Sequence, residues 1–74
     1  SEHEVMLTET QRTVRQAIES LPVKYRAVMT LRYVQDLSLQ EIADILELPV
    51  TTVKTRVHRA REYMRRKVGH LFRT

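Results

Sequence analysis

The sequence predicts an all-α fold, a four-helix domain that contains a helix-turn-helix. In each of four segments the apolar residues recur at the spacing of an amphipathic helix, and no segment shows the strict alternation of a half-buried strand. The only glycine is Gly69, and no Asn-Gly or Asp-Gly pair marks a β-hairpin turn. Helices and short breaks therefore account for the whole pattern.

The chain has 74 residues, enough for one hydrophobic core and too few for two, so residues 1–74 are predicted to form a single domain. It has no cysteine, which excludes disulfides and thiolate metal sites. No cofactor is expected.

Because the chain opens with Ser1 and polar residues rather than Met, we expect a fragment of a longer protein. It has no long apolar run and no signal-peptide pattern, and a cytoplasmic location is expected.

The first two helices are predicted over about residues 4–20 and 22–35. The first begins between Glu2 and Thr8, and its apolar stripe follows the i, i+3, i+4, i+7 spacing of one helix face. Pro22 fits the first turn of the second helix, where its missing N–H costs nothing. The residues expected to face inward are Val14, Ala17, Ile18 and Leu21 in the first helix, and Val23, Ala27, Val28, Leu31 and Val34 in the second.

The third and fourth helices are predicted over about residues 38–47 and 50–68. The run from Ser38 to Glu41 has the capping-box pattern, in which a serine hydroxyl and a glutamate carboxylate bind each other's backbone N–H. Pro49 ends the third helix after a short run. Its inward stripe is Leu39, Ile42, Ala43 and Leu46. Two helices of unequal length joined by a short turn have the outline of a helix-turn-helix.

Charge is distributed unevenly along the chain. Residues 1–48 carry a net charge of −3 and residues 49–74 a net charge of +7. A basic block of this kind indicates a polyanionic partner, either nucleic acid or an anionic membrane surface. The membrane alternative is disfavoured, because an interfacial helix needs an apolar face for lipid. The only apolar stripe of the fourth helix is needed for the domain's own core.

A helical wheel of the fourth helix fixes which face is free. Val53, Val57, Ala60 and Met64 form one narrow apolar stripe that must face the other helices. Opposite this stripe the wheel places Thr51, Thr55, His58 and Glu62, flanked by Lys54, Arg61 and Arg65 on one side and by Arg59 and Arg66 on the other. Short polar residues at the centre of the face allow close approach to base edges in a major groove.

The stretch LSLQEIADILELPVTTVKTRVHRAREYMR, preceded by LPVKYRAVMTLRYVQ, resembles region 4 of the extracytoplasmic-function sigma factors, promoter-recognition subunits of bacterial RNA polymerase. The resemblance runs from about Ala17 to Arg66. Its most specific parts are Leu21-Pro22 with Arg26, the Leu31-Arg32 pair, the Ser38 to Ala43 helix start, and Thr52-Val53-Lys54-Thr55-Arg56 followed by Arg59-Ala60-Arg61. Pro49 and Thr51 depart from the serine-type cap and the glycine that many members have there.

The resemblance implies a winged-helix-like sigma region 4 that binds the minus-35 promoter element in the major groove. It also implies docking on the flap of the polymerase β subunit, with an anti-sigma factor as a third partner. The positions that match the family's base-contacting residues are Lys54, Thr55, His58 and Arg59. Thr51, Thr52 and Arg56 match positions near the DNA backbone, and the wheel independently places Arg56 beside the core stripe, where a phosphate contact or an internal pair fits best.

Further phosphate contacts are expected around this face. Arg61 flanks it, and the N–H groups of Leu39 and Gln40, at the start of the third helix, form an anion site by geometry. Two interpretations of Arg26 and Arg32 stay open: they either touch phosphates or pair internally. The candidate internal partners are Asp36, Glu41 and Asp44. The cations at the end of the fourth helix, Arg65, Arg66 and Lys67, are interpreted as a solvated helix end.

An enzyme is not predicted. The sequence has no glycine-rich phosphate loop, no nucleophile with a placed base and no carboxylate pair in an obvious cleft. His58 has neither His3 nor His70 at metal-ligand spacing, so a groove-facing role suits it better. The tyrosines Tyr25, Tyr33 and Tyr63 are interpreted as anchors at the edge of the core rather than as base-stacking platforms.

Two alternatives to a sigma domain remain. A response-regulator output domain has a similar Thr-Val-Lys helix start, although it commonly has histidine in place of Arg56. A protein-docking module would need exposed apolar residues beyond the core stripes. The candidates are Val5, Met6, Leu7, Met29, Leu37, Leu71 and Phe72. Of these, Met29 and Leu37 are predicted to form the groove for a helix of the polymerase flap.

Overall fold

The computed structural model describes residues 8–69, and every regular element in that range is helical. The elements are α1 (Glu9–Glu19), α2 (Val23–Met29) with a π-helical turn (Thr30–Val34), α3 (Leu39–Leu46) and α4 (Val50–Val68). The predicted all-α fold with four helices is confirmed. No strand occurs between residues 8 and 69, so that range contains no β-hairpin wing.

α1 begins at a capping box that the sequence analysis overlooked. The Thr8 hydroxyl accepts a hydrogen bond from the Gln11 N–H (3.1 Å), and the Gln11 side chain accepts one from the Thr8 N–H (2.9 Å). The helix therefore starts at Glu9, later than the predicted start near residue 4, and the part of that prediction before Thr8 lies outside the described residues. The Thr-x-x-Gln pattern was visible in the sequence.

The end of α2 is wider than the α-helix predicted over residues 22–35. The Gln35 N–H bonds the Thr30 carbonyl at 3.1 Å, five residues back, and the Leu37 N–H bonds the Leu31 carbonyl at 3.0 Å. Each residue of a π turn rotates the chain less than in an α-helix, because each turn holds more residues. Val34 is thereby carried off the inward face and is 41 % exposed, contrary to the prediction.

The buried face of α2 differs from the predicted stripe at its start as well. Val23 is 70 % exposed, whereas Tyr25, Val28 and Met29 are buried. An α-helix of seven residues carries two possible apolar stripes, and only its neighbours decide between them. Met29 is 1 % exposed, so the predicted docking surface through Met29 is wrong, and Leu37, the other predicted residue of that surface, packs against the core.

α4 is the central element of the domain, because it packs against α1, α2 and α3. The predicted stripe of Val53, Val57, Ala60 and Met64 is buried, and Val68 extends it by one turn. On α3, Ile42 and Ala43 are buried while Leu39 and Leu46 pack partly buried against the core, as predicted. The bounds of α3 and α4 agree with the predicted ones to within one residue.

The turn between α3 and α4 is held in a conformation that favours glycine. Glu47 has φ 55° and ψ 47°, the left-handed region, and both its own N–H and that of Leu48 bind the Ala43 carbonyl. A side chain in this region clashes with the following carbonyl, which costs on the order of 1 kcal/mol. Glu47 is therefore not the most stable residue for this position of the turn.

We expect Glu47→Gly to raise the free energy of unfolding by about 1 kcal/mol, because glycine adopts positive φ without the clash. Thermal or denaturant unfolding followed by circular dichroism measures this. The matched control is Gln16→Gly, in the exposed interior of α1, which should lower stability by about 1 kcal/mol. Destabilisation by both substitutions would contradict the strained turn.

Candidate nucleic-acid interface

The face of α4 opposite the core holds the four residues predicted to contact bases. Lys54, Thr55, His58 and Arg59 are all exposed, while Val53 and Val57 on the other side are buried. The Thr55 hydroxyl donates to the Thr51 carbonyl at 3.0 Å, one turn back. In this rotamer Thr55 offers a partner only acceptor lone pairs and a methyl group. The four side chains lie together on one surface, and their contact with bases stays a prediction.

On one flank of this face, α4 and the start of α2 enclose an open groove of about 350 Å³. Its lining consists of Lys24, Tyr25, Thr51, Thr52, Thr55, Arg56 and Arg59. The groove thus brings together Thr51, Thr52 and Arg56, the residues assigned to the DNA backbone. It also includes Lys24, which the sequence analysis did not single out. Lys24 lies about thirty residues before Arg56 along the chain, and no spacing pattern linked the two.

On the other flank, Arg61 is held by a residue of the π turn. Its Nε donates to the Tyr33 hydroxyl at 2.8 Å, and its guanidinium carbon lies 5.7 Å from the Tyr33 ring centroid. The terminal Nη groups remain available to a phosphate. Tyr33 is 45 % exposed, so it orients Arg61 rather than anchoring the core edge. No sequence signal predicts this contact, because 28 residues separate the two.

The cations at the end of α4 are exposed, as expected for a helix end, but each also has an intramolecular contact. Arg65 pairs with Glu62 at 3.0 Å, and the Lys67 ammonium donates to the Ser20 hydroxyl at 3.0 Å. The Arg66 guanidinium lies 5.9 Å from the Tyr63 ring centroid. A surface ion pair such as that of Arg65 adds only about 0–1 kcal/mol to stability. These contacts nevertheless keep the three side chains close to the helix.

Arg26 and Arg32 both bind backbone carbonyls. Arg26 Nη1 donates to the Glu19 carbonyl at 3.3 Å, and Arg32 Nη1 donates to the Leu37 carbonyl at 2.8 Å. Within residues 8–69 neither pairs with the carboxylates proposed for them, so that part of the internal-pairing interpretation is wrong. The Glu19 carbonyl belongs to the last turn of α1, where carbonyls lack a partner within the helix, and the Leu37 carbonyl lies in the segment between the π turn and α3.

The start of α3 has the predicted capping box. The Ser38 hydroxyl accepts from the Glu41 N–H at 3.1 Å, and the Glu41 carboxylate accepts from the Ser38 N–H at 2.9 Å. The hydrogen bond from the Ser38 N–H foremost, and hydrogen bonding of the carboxylate by the Ser38 side chain next, hold the pKa of Glu41 below its ordinary value of 4.5. The N–H groups of Leu39 and Gln40 lie in the first helical turn, where backbone donors have no acceptor within the helix. Their binding to phosphate stays a prediction.

A second groove, of about 330 Å³, lies between α1 and the π turn. It is lined by Thr10, Gln11, Val14, Arg15, Ile18, Tyr33 and Val34. Tyr33 and Val34 are exposed because the π turn rotates them outward. This groove thus exposes apolar side chains, whereas Met29 is buried and Leu37 packs partly buried against the core. Of the other candidates, Val5, Met6, Leu7, Leu71 and Phe72 lie outside the described residues, as do His3 and His70.

Residues 8–69 hold neither a candidate metal site nor a helix suited to a membrane. That range holds no cluster of three histidine or acidic residues able to bind a metal ion. None of its helices is long and apolar enough to cross a lipid bilayer. The described surface includes the basic face of α4, the groove beside it at the start of α2, and a separate groove between α1 and the π turn.

Comparison with known proteins identifies this arrangement. The family model for sigma-70, region 4, matches residues 11–64. The chain belongs to the sigma-70 region 4 family. Over 70 residues the region 4 domain is 49% identical to the ECF RNA polymerase sigma factor SigW of Bacillus subtilis, covering 95% of this chain and 37% of that protein. It is 43% identical over 72 residues to the ECF RNA polymerase sigma-E factor of Escherichia coli K12, covering 97% of this chain and 38% of that protein.

These matches confirm the resemblance to region 4 of the extracytoplasmic-function sigma factors. A third relative, the ECF RNA polymerase sigma-E factor of Haemophilus influenzae, is 39% identical over 70 residues, covering 95% of this chain and 37% of that protein. The response-regulator alternative is wrong, and a region 4 domain is a non-catalytic helix-turn-helix domain. The chain spans less than two fifths of the length of these relatives.

The capping box of the region 4 domain should make its stability depend on pH. Because the folded state lowers the pKa of Glu41, the carboxylate stabilises the fold above the ordinary value of 4.5, and this contribution is lost as the pH falls through the lowered value. We expect Glu41→Gln to be less stable than the parent at pH 7. The difference should close under acid conditions, where the parent carboxyl is protonated.

Urea unfolding of both proteins at a series of pH values checks this expectation. Glu62→Gln serves as the control, since within residues 8–69 Glu62 pairs with the exposed Arg65 alone and caps no helix. A gap between parent and Glu41→Gln that stayed constant down to pH 2 would contradict the assignment to the carboxylate.

Proposed function

We propose that this region 4 domain binds the minus-35 element of promoter DNA with α4 in the major groove, as the C-terminal domain of an extracytoplasmic-function sigma factor. In that protein it would direct RNA polymerase to start transcription. One observation carries the proposal: the four predicted base-contacting residues, Lys54, Thr55, His58 and Arg59, lie exposed on a single face of a helix whose opposite face is buried. A cytoplasmic location, where promoter DNA resides, belongs to the same proposal.

The dimensions of α4 support this mode of binding. A helix with side chains is about 10–12 Å across, close to the width of a B-DNA major groove. The short side chain of Thr55 lies at the centre of the exposed face, so the helix axis can approach the base edges. Lys54 and Arg59 are longer and reach outward on either side. Base discrimination is assigned to these residues and His58, and phosphate binding to Thr51, Thr52, Arg56 and Arg61.

Arg26 and Arg32 are less suited to phosphates than this group. Both guanidiniums already bind backbone carbonyls, and Arg32 is half-buried. Leu39 and Gln40 contribute through backbone N–H groups at the start of α3, which in a helix-turn-helix crosses the DNA backbone. The interface therefore combines one reading helix with backbone contacts from the helix before it.

Polymerase docking is proposed for the groove between α1 and the π turn. An amphipathic helix binds a groove through apolar anchors, and this groove exposes Tyr33 and Val34 over the partly buried Val14. A helix of the β flap is the proposed occupant. An anti-sigma factor is proposed as a further partner that withholds the domain from polymerase or DNA. The relatives' names support the polymerase part, because they call these proteins RNA polymerase sigma factors.

We expect Arg59→Ala to weaken binding to the cognate duplex by about 1–3 kcal/mol and to random DNA much less, because a guanidinium fork on a base edge contributes only at the correct base. Arg66→Ala is the matched control. Arg66 lies two turns further along α4 and contacts Tyr63, so its loss should affect both duplexes equally or neither. Both variants are titrated by fluorescence anisotropy at one salt concentration, since salt alters every phosphate contact. An unchanged cognate-to-random ratio for Arg59→Ala would refute base reading by this residue.

Val34→Asp should weaken binding to a labelled β-flap helix by about tenfold, since it places a charge in an apolar groove, and should leave duplex binding unchanged. Val23→Asp is the control, because Val23 is more exposed than Val34 and lies outside the groove lining. Equal loss of flap binding in both variants would show that overall charge, rather than this groove, determines docking.

A further inference from the structure

The groove between the start of α2 and the start of α4 gathers three cations and no acid. Lys24, Arg56 and Arg59 all line it, and none of its lining residues is Asp or Glu. Like charges around one cavity raise the energy of the folded state unless an anion offsets them. The hydroxyl groups of Thr51 and Thr52, on the same lining, add neutral hydrogen-bonding groups. The groove therefore has the composition of an anion site.

Arg56 is the least exposed of the three cations that line this groove. It is half-buried, yet within residues 8–69 its guanidinium makes no hydrogen bond or ion pair. Arg32, which is also half-buried, binds the Leu37 carbonyl, and the exposed Arg26 and Arg61 also have acceptors. No nitrogen of this guanidinium is buried without a partner, so the group reaches solvent within the groove and is able to bind an anion there.

The Lys24 ammonium contacts the ring of a buried tyrosine beside the groove. It lies 5.2 Å from the centroid of the Tyr25 ring, within the range of a cation–π contact. Tyr25 is only 7 % exposed, and its ring lies 5.4 Å from that of Tyr63 on α4. Because Lys24 is exposed, this weak contact favours a position of the ammonium beside the groove without fixing it there.

The ligand is identified by what lies next to the groove. Thr55 and Arg59 line it and also belong to the face assigned to base reading, so the groove opens beside the bases that α4 would contact. The anion found beside base edges in a duplex is a backbone phosphate. An acidic protein segment matches the charge but not this position.

We propose that Lys24 and Arg56 together bind one backbone phosphate of the duplex, at the edge of the site read by α4. This rests on the proposed function and extends it, because Lys24 lies on α2, outside the helix-turn-helix. The phosphate contact fixes the register of α4 on the duplex and leaves Arg59 free to reach a base.

The test uses the duplex that the domain prefers in a selection over randomised sequences, remade with a neutral methylphosphonate at one backbone position at a time. With the parent domain, one position should lower affinity by about tenfold, the effect of losing a charge-assisted hydrogen bond. In Lys24→Ala that same position should have a clearly smaller effect, because only Arg56 still binds the phosphate, and in the double variant Lys24→Ala/Arg56→Ala it should have almost none, while every other position keeps its parental effect. Lys67→Ala is the control, because Lys67 donates to Ser20 and does not line the groove. This variant should keep the parental pattern at all positions.

Each other result has a defined meaning. If Lys24→Ala weakens every duplex by the same factor, Lys24 acts only through long-range charge and the phosphate site is wrong. If Lys24→Ala leaves all duplexes unchanged but weakens binding of a polyglutamate peptide, the groove binds an acidic protein segment instead. If the parent domain prefers no duplex sequence, the proposed function itself fails. Sequence preference without any position coupled to Lys24 refutes the phosphate site alone.

Discussion

The arrangement of the domain depends on the burial of one face of α4. Val53, Val57, Ala60, Met64 and Val68 pack against all three other helices, so this stripe is at once the centre of the core and the reference that orients the opposite face. A helix whose apolar side is enclosed on three sides has no freedom to rotate about its axis. The exposed positions of Thr55 and His58 follow from this packing alone, and a change in the stripe would alter both stability and the surface offered to DNA.

Five arginines of the domain differ in the hydrogen-bond acceptors that lie near them. Arg26 and Arg32 bind the backbone carbonyls of Glu19 and Leu37, and Arg61 is oriented by the Tyr33 hydroxyl. Arg56 and Arg59 line a groove in which no described side chain or carbonyl accepts from them. Arg26 and Arg32 stabilise the fold, Arg61 is oriented while its Nη groups stay available, and Arg56 and Arg59 are available to a ligand. Net charge alone gives no means of separating these roles.

Much of the interface was predictable because it lies within one helix. The bounds of α4, its buried stripe and the exposure of Lys54 and Arg59 follow from a single period read along the sequence. The capping box at Ser38 was equally readable, since its two residues are three positions apart. The face of α2 that packs against the core was not predictable, because a seven-residue helix has two apolar stripes that fit the sequence equally well. The π turn after Met29 has no sequence pattern of its own. It exposes Val34, which was predicted to face inward, and places it on the lining of the apolar groove.

The sequence by itself determined the number and class of the elements, the face of α4 that meets the solvent and the family of the domain, since each of these depends on residues close together along the chain. Only the tertiary structure decided which arginines are already bonded, that Met29 is core rather than surface, and that Lys24 lies in the same groove as Arg56. Some of these facts depend on contacts between residues about thirty positions apart, such as Tyr33 and Arg61. Others depend on the course of the backbone between helices, which brings the Leu37 carbonyl to Arg32. Helical periodicity describes the direction of a side chain from its own axis, and it does not describe which neighbouring helix that side chain meets.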